Sequence, residues 1–137
     1  MKPDKEVVRV AVRAVITDDN NRALIIKRGN THYGNDKWCI PGGKADHGIP
    51  VTENLVREID EETGLNCHAH EFLFYLDTLP SAETDLHFVS LVFYCRVTGE
   101  LSLNEESSEY AWVSEEDLEK YEFVFDNDKA LRRYWGS

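Results

Sequence analysis

The sequence predicts an α/β fold, a mixed β-sheet covered by helices, on three observations. Residues 7 to 16 alternate between apolar and polar with the period of a strand. One amphipathic helix pattern runs from about Pro50 to Thr63 and stops at Gly64, where a left-handed cap belongs. Strand-like runs lie on both sides of it, and a second helical segment closes the chain.

In the first strand Val8, Val10, Val12, Ala14 and Ile16 share one face, with Arg9 and Arg13 on the other. Asp18-Asp19-Asn20-Asn21 makes the turn, and Ala23 to Lys27 is a nearly continuous aliphatic strand. Gly29 to Asp36 reads as a polar loop carrying His32 and Tyr33, and a Gly42-Gly43 turn leads towards the helix. Phe72 to Leu76 and Phe88 to Val97 are the next strands, separated by a loop around Pro80-Ser81-Ala82-Glu83. After the polar, acidic stretch Gly99 to Ser108 comes a short strand, Tyr110 to Val113. Ser114-Glu115-Glu116-Asp117 then starts a helix, and Asp126 caps a final one bearing Leu131 and Tyr134. With no repeat, linker or low-complexity tract, residues 1–137 form a single domain.

At 137 residues the chain can bury a real core. Its 15 Lys plus Arg against 26 Asp plus Glu give a net charge of -11, which repels long nucleic acid. A small anionic substrate is compatible with that charge if metal ions carry the attraction. No apolar run is long enough to span a membrane and no secretion signal opens the chain, so a cytoplasmic protein is expected. Cys39, Cys67 and Cys95 are odd in number and widely spaced in apolar company, which fits reduced packing thiols.

Glu58, Glu61 and Glu62 fall on one face of the central helix. Clustered carboxylates repel one another and raise each other's pKa, and a hard divalent cation would offset the repulsion. A solvated acidic face is the plain alternative for such a run. Its context decides between them. Gly43 to Leu65 resembles the Nudix box, GX5EX7REUXEEXGU with U a bulky aliphatic residue. Gly43, Arg57, Glu58, Ile59, Glu61, Glu62, Gly64 and Leu65 match at the required spacing, and Ile49 stands where the first Glu belongs. The preceding Trp38-Cys39-Ile40-Pro41-Gly42-Gly43-Lys44 resembles the usual lead-in.

The resemblance, to MutT-like Nudix hydrolases, implies an α/β/α sandwich with a central mixed β-sheet over about residues 7 to 135. It implies hydrolysis of a pyrophosphate bond in a nucleoside diphosphate linked to another group X, with magnesium, or manganese in its place. Carried over residue by residue, Glu58, Glu61, Glu62 and the Gly42 carbonyl hold the metal, with Glu58 or Glu62 helping to orient water. The catalytic base outside the box falls in the acidic loop before Trp112. Glu106 is the first choice there and Glu109 the second, with Glu105 and Glu83 behind them. Arg57 is an orienting residue, and Glu53, one helical turn earlier, is the expected stand-in for the partner lost at Ile49.

Arg28, Lys37 and Lys44 are candidates for phosphate contacts, and Tyr33, Trp38 and Phe125 for stacking on a base. Trp38, beside an apolar strand, suits the core better than a stacking role. His68 and His70 share a strand face but lack a third ligand for zinc. The alternative to an enzyme is a catalytically silent Nudix-fold module that binds nucleotide or regulates, which would be marked by loss of an acid of the REUXEE stretch; Glu58, Glu61 and Glu62 are all present. The spacing of Pro80 from Leu65 resembles ADP-ribose hydrolases of the family. His87-Phe88-Val89 and the short chain resemble relatives that act on nucleoside triphosphates, oxidised ones included. Both substrates stay open, as does a homodimer.

Overall fold

The alternating amino-terminal run forms β1 (Val8–Val15), and the aliphatic run after the first turn forms β2 (Ala23–Arg28). The structure is a computed structural model and describes residues 6–29, 35–82 and 85–136. The expected roles of His32, Tyr33 and Glu83 lie outside the described residues. Two short strands follow, β3 (Trp38–Cys39) and β4 (Gly42–Lys44). Helix α1 (Val51–Thr63) stops at Gly64, which is left-handed at φ 71° and donates its N–H to the Asp60 carbonyl at 2.8 Å. Next come β5 (Asn66–Thr78), β6 (His87–Thr98), β7 (Ser107–Val113), a 3₁₀ helix (Glu115–Lys120) and α2 (Asn127–Tyr134).

Four strands make a mixed sheet in the order β4-β1-β6-β5, with β1 parallel to β6 and antiparallel to β4. The other three make an antiparallel sheet, β3-β2-β7. On one side α1 buries Leu55 and Ile59 against Val12, Ala14 and Ile16, all of them fully covered. On the other, Val15, Ile25 and Val92 pack with Leu118 of the 3₁₀ helix and Ala130 and Leu131 of α2. Helices therefore flank a central mixed sheet, the expected α/β/α arrangement.

Three expectations are corrected. The Gly42-Gly43 pair is not a turn but most of β4, the edge strand that registers Gly42 opposite Arg13 and Gly43 opposite Val12. β5 extends far beyond Phe72 to Leu76. As the opposite edge strand it leaves His68, His70 and Glu71 in solvent, and register shifts at Cys67/Ala69 and Phe72/Phe74 break the alternation that would have revealed it. Asp126 occupies the cap position of α2 without capping it: its backbone is left-handed (φ 61°) and its carboxylate pairs with Lys129 at 3.2 Å. The cysteines behave as expected, free and buried. Burial raises the Cys39 thiol pKa and, with the Cys67 thiol beside it, that of Cys95. Among the described residues no helix is long and apolar enough to cross a membrane.

Candidate active site

A cleft of about 430 Å³ opens where the β4 edge, α1 and one face of β1 meet. Three odd-numbered residues of β1, Arg9, Ala11 and Arg13, form its floor in a row. β6 extends it through Phe88 and Ser90, registered beside Arg9 and Ala11. Glu58, Glu61 and Glu62 from α1 line the acidic wall next to Gly42, Gly43 and Lys44, while Arg28, Glu106 and Phe125 come from elsewhere in the fold.

The glycine pair explains how helix carboxylates reach past a sheet edge. A Cβ at Gly42, whose φ is 150°, would sit 2.0 Å from the Val12 carbonyl oxygen, and one at Gly43 would sit 2.9 Å from Glu58 Oε2. With that space open, the Gly42 N–H donates to Glu62 Oε1 at 2.8 Å. Although part of Glu62 still touches solvent, its carboxyl is enclosed enough that burial raises its pKa from 4.5 to about 7. The Gly42 N–H and the Arg13 charge pull it back only partly, and the neighbouring Glu58 charge adds to the rise. Glu58 is raised too, by burial first and by Glu61 second. Mutual repulsion, the cause expected from sequence, is thus the lesser one.

Arg57 bridges the helix to the loop before it. Its Nη2 donates to the Asp46 carboxylate and, at 2.9 Å, to Asn54 Oδ1, while Nε lies 3.7 Å from Glu61 Oε1. Asn54 is itself fully buried, accepting the Asp46 N–H at 3.2 Å and donating to the Ile49 carbonyl at 3.3 Å. Glu53, the expected partner, is exposed and is not among these contacts. The Arg57 side chain runs back over the preceding turn towards the loop, on the side where Asn54 sits.

Of the loop acids, Glu106 lines the cleft, whereas Glu109 lies in β7 and pairs with Lys27 at 3.3 Å. Arg28 and Lys44 line the cleft, and Arg28 lies over the Phe125 ring at 5.4 Å. Lys37 and Trp38 are not among the lining residues; the Trp38 ring packs edge-on against Tyr121 at 4.9 Å, in the core. Phe125 and Phe88 stand 5.9 Å apart as an aromatic side to the cleft. Phe125 is left-handed (φ 55°), an uncommon state for a bulky residue, and its carbonyl accepts from Thr78 Oγ1 at 3.1 Å and Asn127 Nδ2 at 3.2 Å.

The donors at the acidic wall are all oxygens, the chemistry a hard divalent cation prefers. Among the described residues no three such side chains already converge as a closed ligand set. Glu62 is turned to the Gly42 N–H and Glu61 towards Arg57.

The NUDIX domain family matches residues 7–134. The chain belongs to the Nudix family. The ADP-ribose pyrophosphatase of Methanocaldococcus jannaschii is 35% identical to it over 128 residues, 91% of this chain and 72% of that protein. The nucleoside triphosphatase NudI of Escherichia coli K12 is 33% identical over 105 residues, 70% of this chain and 74% of that protein. The crystal structure of a MutT NUDIX hydrolase from Burkholderia pseudomallei superposes with a TM-score of 0.82 at 30% identity, covering 93% of this chain and 98% of that one. The chain is a Nudix hydrolase, an enzyme acting on acid anhydrides.

In this Nudix domain the box departs from its pattern at Ile49, and the carboxylate that faces Arg57 comes instead from Asp46, earlier in the same loop. Asp46, Asn54, Arg13 and Phe88 are the residues of the site that sequence reasoning missed. Arg13 had left a trace as the polar face of an alternating strand, and Phe88 as part of His87-Phe88-Val89.

Proposed function

We propose that this chain hydrolyses the pyrophosphate bond of a nucleoside diphosphate linked to a further group X, releasing a nucleotide and a phosphorylated remainder. The cation is magnesium, with manganese as substitute. The observation that carries this reading is one cleft with an enclosed acidic wall facing a basic floor. Glu58, Glu61, Glu62 and the Gly42 carbonyl are the proposed ligands; when bound, the cation neutralises charge on the phosphoryl oxygens. Glu62 must lose its proton to serve. Glu106, exposed on the loop before β7, takes the proton of the attacking water. Arg57 does not touch substrate; it holds Glu61 and the Asp46 loop in place. Arg28 and Lys44 meet the outer phosphate oxygens, and Phe125 with Phe88 offers a face to the base.

The relatives are named for ADP-ribose and for nucleoside triphosphates, and both are proposed substrate classes here. A cytoplasmic location goes with the three buried free thiols. The test is a screen of ADP-ribose, nucleotide sugars, dinucleotides and nucleoside triphosphates, including oxidised ones, with products identified by mass in magnesium and in chelator. Turnover that persists in chelator, or none with any pyrophosphate compound, overturns the reading.

A further inference from the structure

We propose that Arg13, outside the Nudix box, is a catalytic residue that grips the diphosphate from the floor of the cleft opposite the carboxylates. The inference rests on reading the cleft as a pyrophosphate-cleaving site.

Arg13 sits in β1 with an exposure of 7%, under a stem space left open by Gly42: a Cβ there would stand 3.0 Å from Arg13 Cδ. Taking a guanidinium out of water costs several kcal/mol unless its donors find acceptors, and an apolar residue would fill the same place without that cost. The protein supplies the nearby charges of Glu62 and Glu58 but a single hydrogen bond. Nη1 donates to the Ile40 carbonyl at 3.2 Å, while Nε, fully covered, has no hydrogen-bond acceptor among the described residues. A buried cation in a cleft wall with one hydrogen bond, near carboxylates that a bound metal ion would claim, is placed to take an anion from outside.

The surroundings say which anion. Arg13 and Arg9 point the same way along β1, separated by the small Ala11, and all three line the cleft that Glu58 and Glu62 close from the other side. A carboxylate ligand would be repelled by that acidic wall unless it bridged a cation. A diphosphate, with charge on both phosphorus centres, can face the cation side and the guanidinium side together. The planar fork of arginine matches two phosphoryl oxygens where lysine offers a single point charge. Because the leaving phosphate gains charge as the bond breaks, the contact strengthens in the transition state and is expressed in kcat.

The test has two arms. In the wild-type protein with magnesium, imidodiphosphate, the uncleavable diphosphate common to both candidate substrate classes, is titrated while the Arg13 ¹⁵Nε–Hε resonance is followed. A saturable shift is expected; an unmoved resonance, or no binding, overturns the proposal. In the second arm Arg13→Lys and Arg13→Gln are assayed on whichever substrate the wild type turns over. A loss of about a hundredfold in kcat is expected, against a KM change under about threefold. Magnesium affinity by calorimetry should stay unchanged in Arg13→Lys, which keeps the positive charge near Glu62 and Glu58. A folded variant with wild-type kcat, or a loss matched by weaker magnesium binding, means Arg13 only props up the Ile40 peptide. If neither variant folds, the resonance decides. A wild type that cleaves no pyrophosphate bond would refute the function proposed above but not diphosphate binding by Arg13, which the first arm reads independently.

Discussion

Replacing Glu62 with Gln should make the metal-free protein more stable and the enzyme nearly inactive. The shape of the side chain is kept, and Gln still accepts the Gly42 N–H that Glu62 Oε1 accepts at 2.8 Å. What disappears is the ionisation. Below about pH 4.5 Glu62 is protonated in folded and unfolded chains alike, so the two proteins should melt together. As pH rises, the unfolded chain ionises freely while the enclosed carboxyl resists until about 7, and the folded state loses stability through that interval. The rise from 4.5 to about 7 corresponds to about 3 kcal/mol at about 1.4 kcal/mol per pKa unit. Urea unfolding in chelator at about pH 4 and about pH 8 reads it directly: equal stability at the first, Glu62→Gln ahead by up to about 3 kcal/mol at the second. Adding magnesium should reverse the order, since the wild type, with its full ligand set, gains more binding free energy. Turnover should fall by at least about a hundredfold. A variant that is no more stable than wild type at the higher pH in chelator would refute burial as the cause.

Magnesium affinity should rise by about tenfold per pH unit up to about pH 7 and level off above, because binding expels the Glu62 proton; calorimetry in buffers of different ionisation enthalpy counts that proton, and a flat profile would contradict it. Gly42→Ala should cost about 3 kcal/mol or more, its Cβ meeting the Val12 carbonyl oxygen at 2.0 Å. Gly43→Ala should cost under about 1 kcal/mol yet weaken magnesium about tenfold by pushing the Glu58 carboxylate aside, and equal melting losses in the two variants would sink the distinction. Asp46→Ala should lower kcat/KM about tenfold with under about 1 kcal/mol of stability lost, since the pair is half exposed, while Glu53→Ala should change neither. Matching kinetic losses at the two positions would restore Glu53 as the partner.

The parts of the site that could be read from the sequence are those whose geometry is local. α1, its Gly64 stop and the shared face of Glu58, Glu61 and Glu62 follow from helical periodicity alone, and the box spacing adds the chemistry. β3 and β4 are too short to have a period, so the glycines of β4 passed for a turn. Spacing made Glu53 as good a partner for Arg57 as Asn54. Only the path of the loop through Asp46 decides between them, and that path is tertiary. Likewise the alternation of β1 puts Arg13 opposite Val12, but whether a polar strand face meets water depends on what lies across it. No sequence pattern marks Phe125 as left-handed.

Asn127 gives the contiguous motif a distant dependency. Its amide oxygen takes the Ile40 N–H at 2.8 Å and its amide nitrogen holds the Phe125 carbonyl at 3.2 Å, and the Ile40 carbonyl in turn receives Arg13. One side chain near the carboxy terminus thus ties the aromatic side of the cleft, the lead-in to β4 and the buried cation into a single hydrogen-bonded thread. The box, though unbroken in sequence, is not autonomous. A chain trimmed before α2 would keep every acid of the motif and lose the side chain that anchors the Ile40 peptide leading into β4. Variation at the last helix should therefore be felt as altered chemistry as well as altered stability.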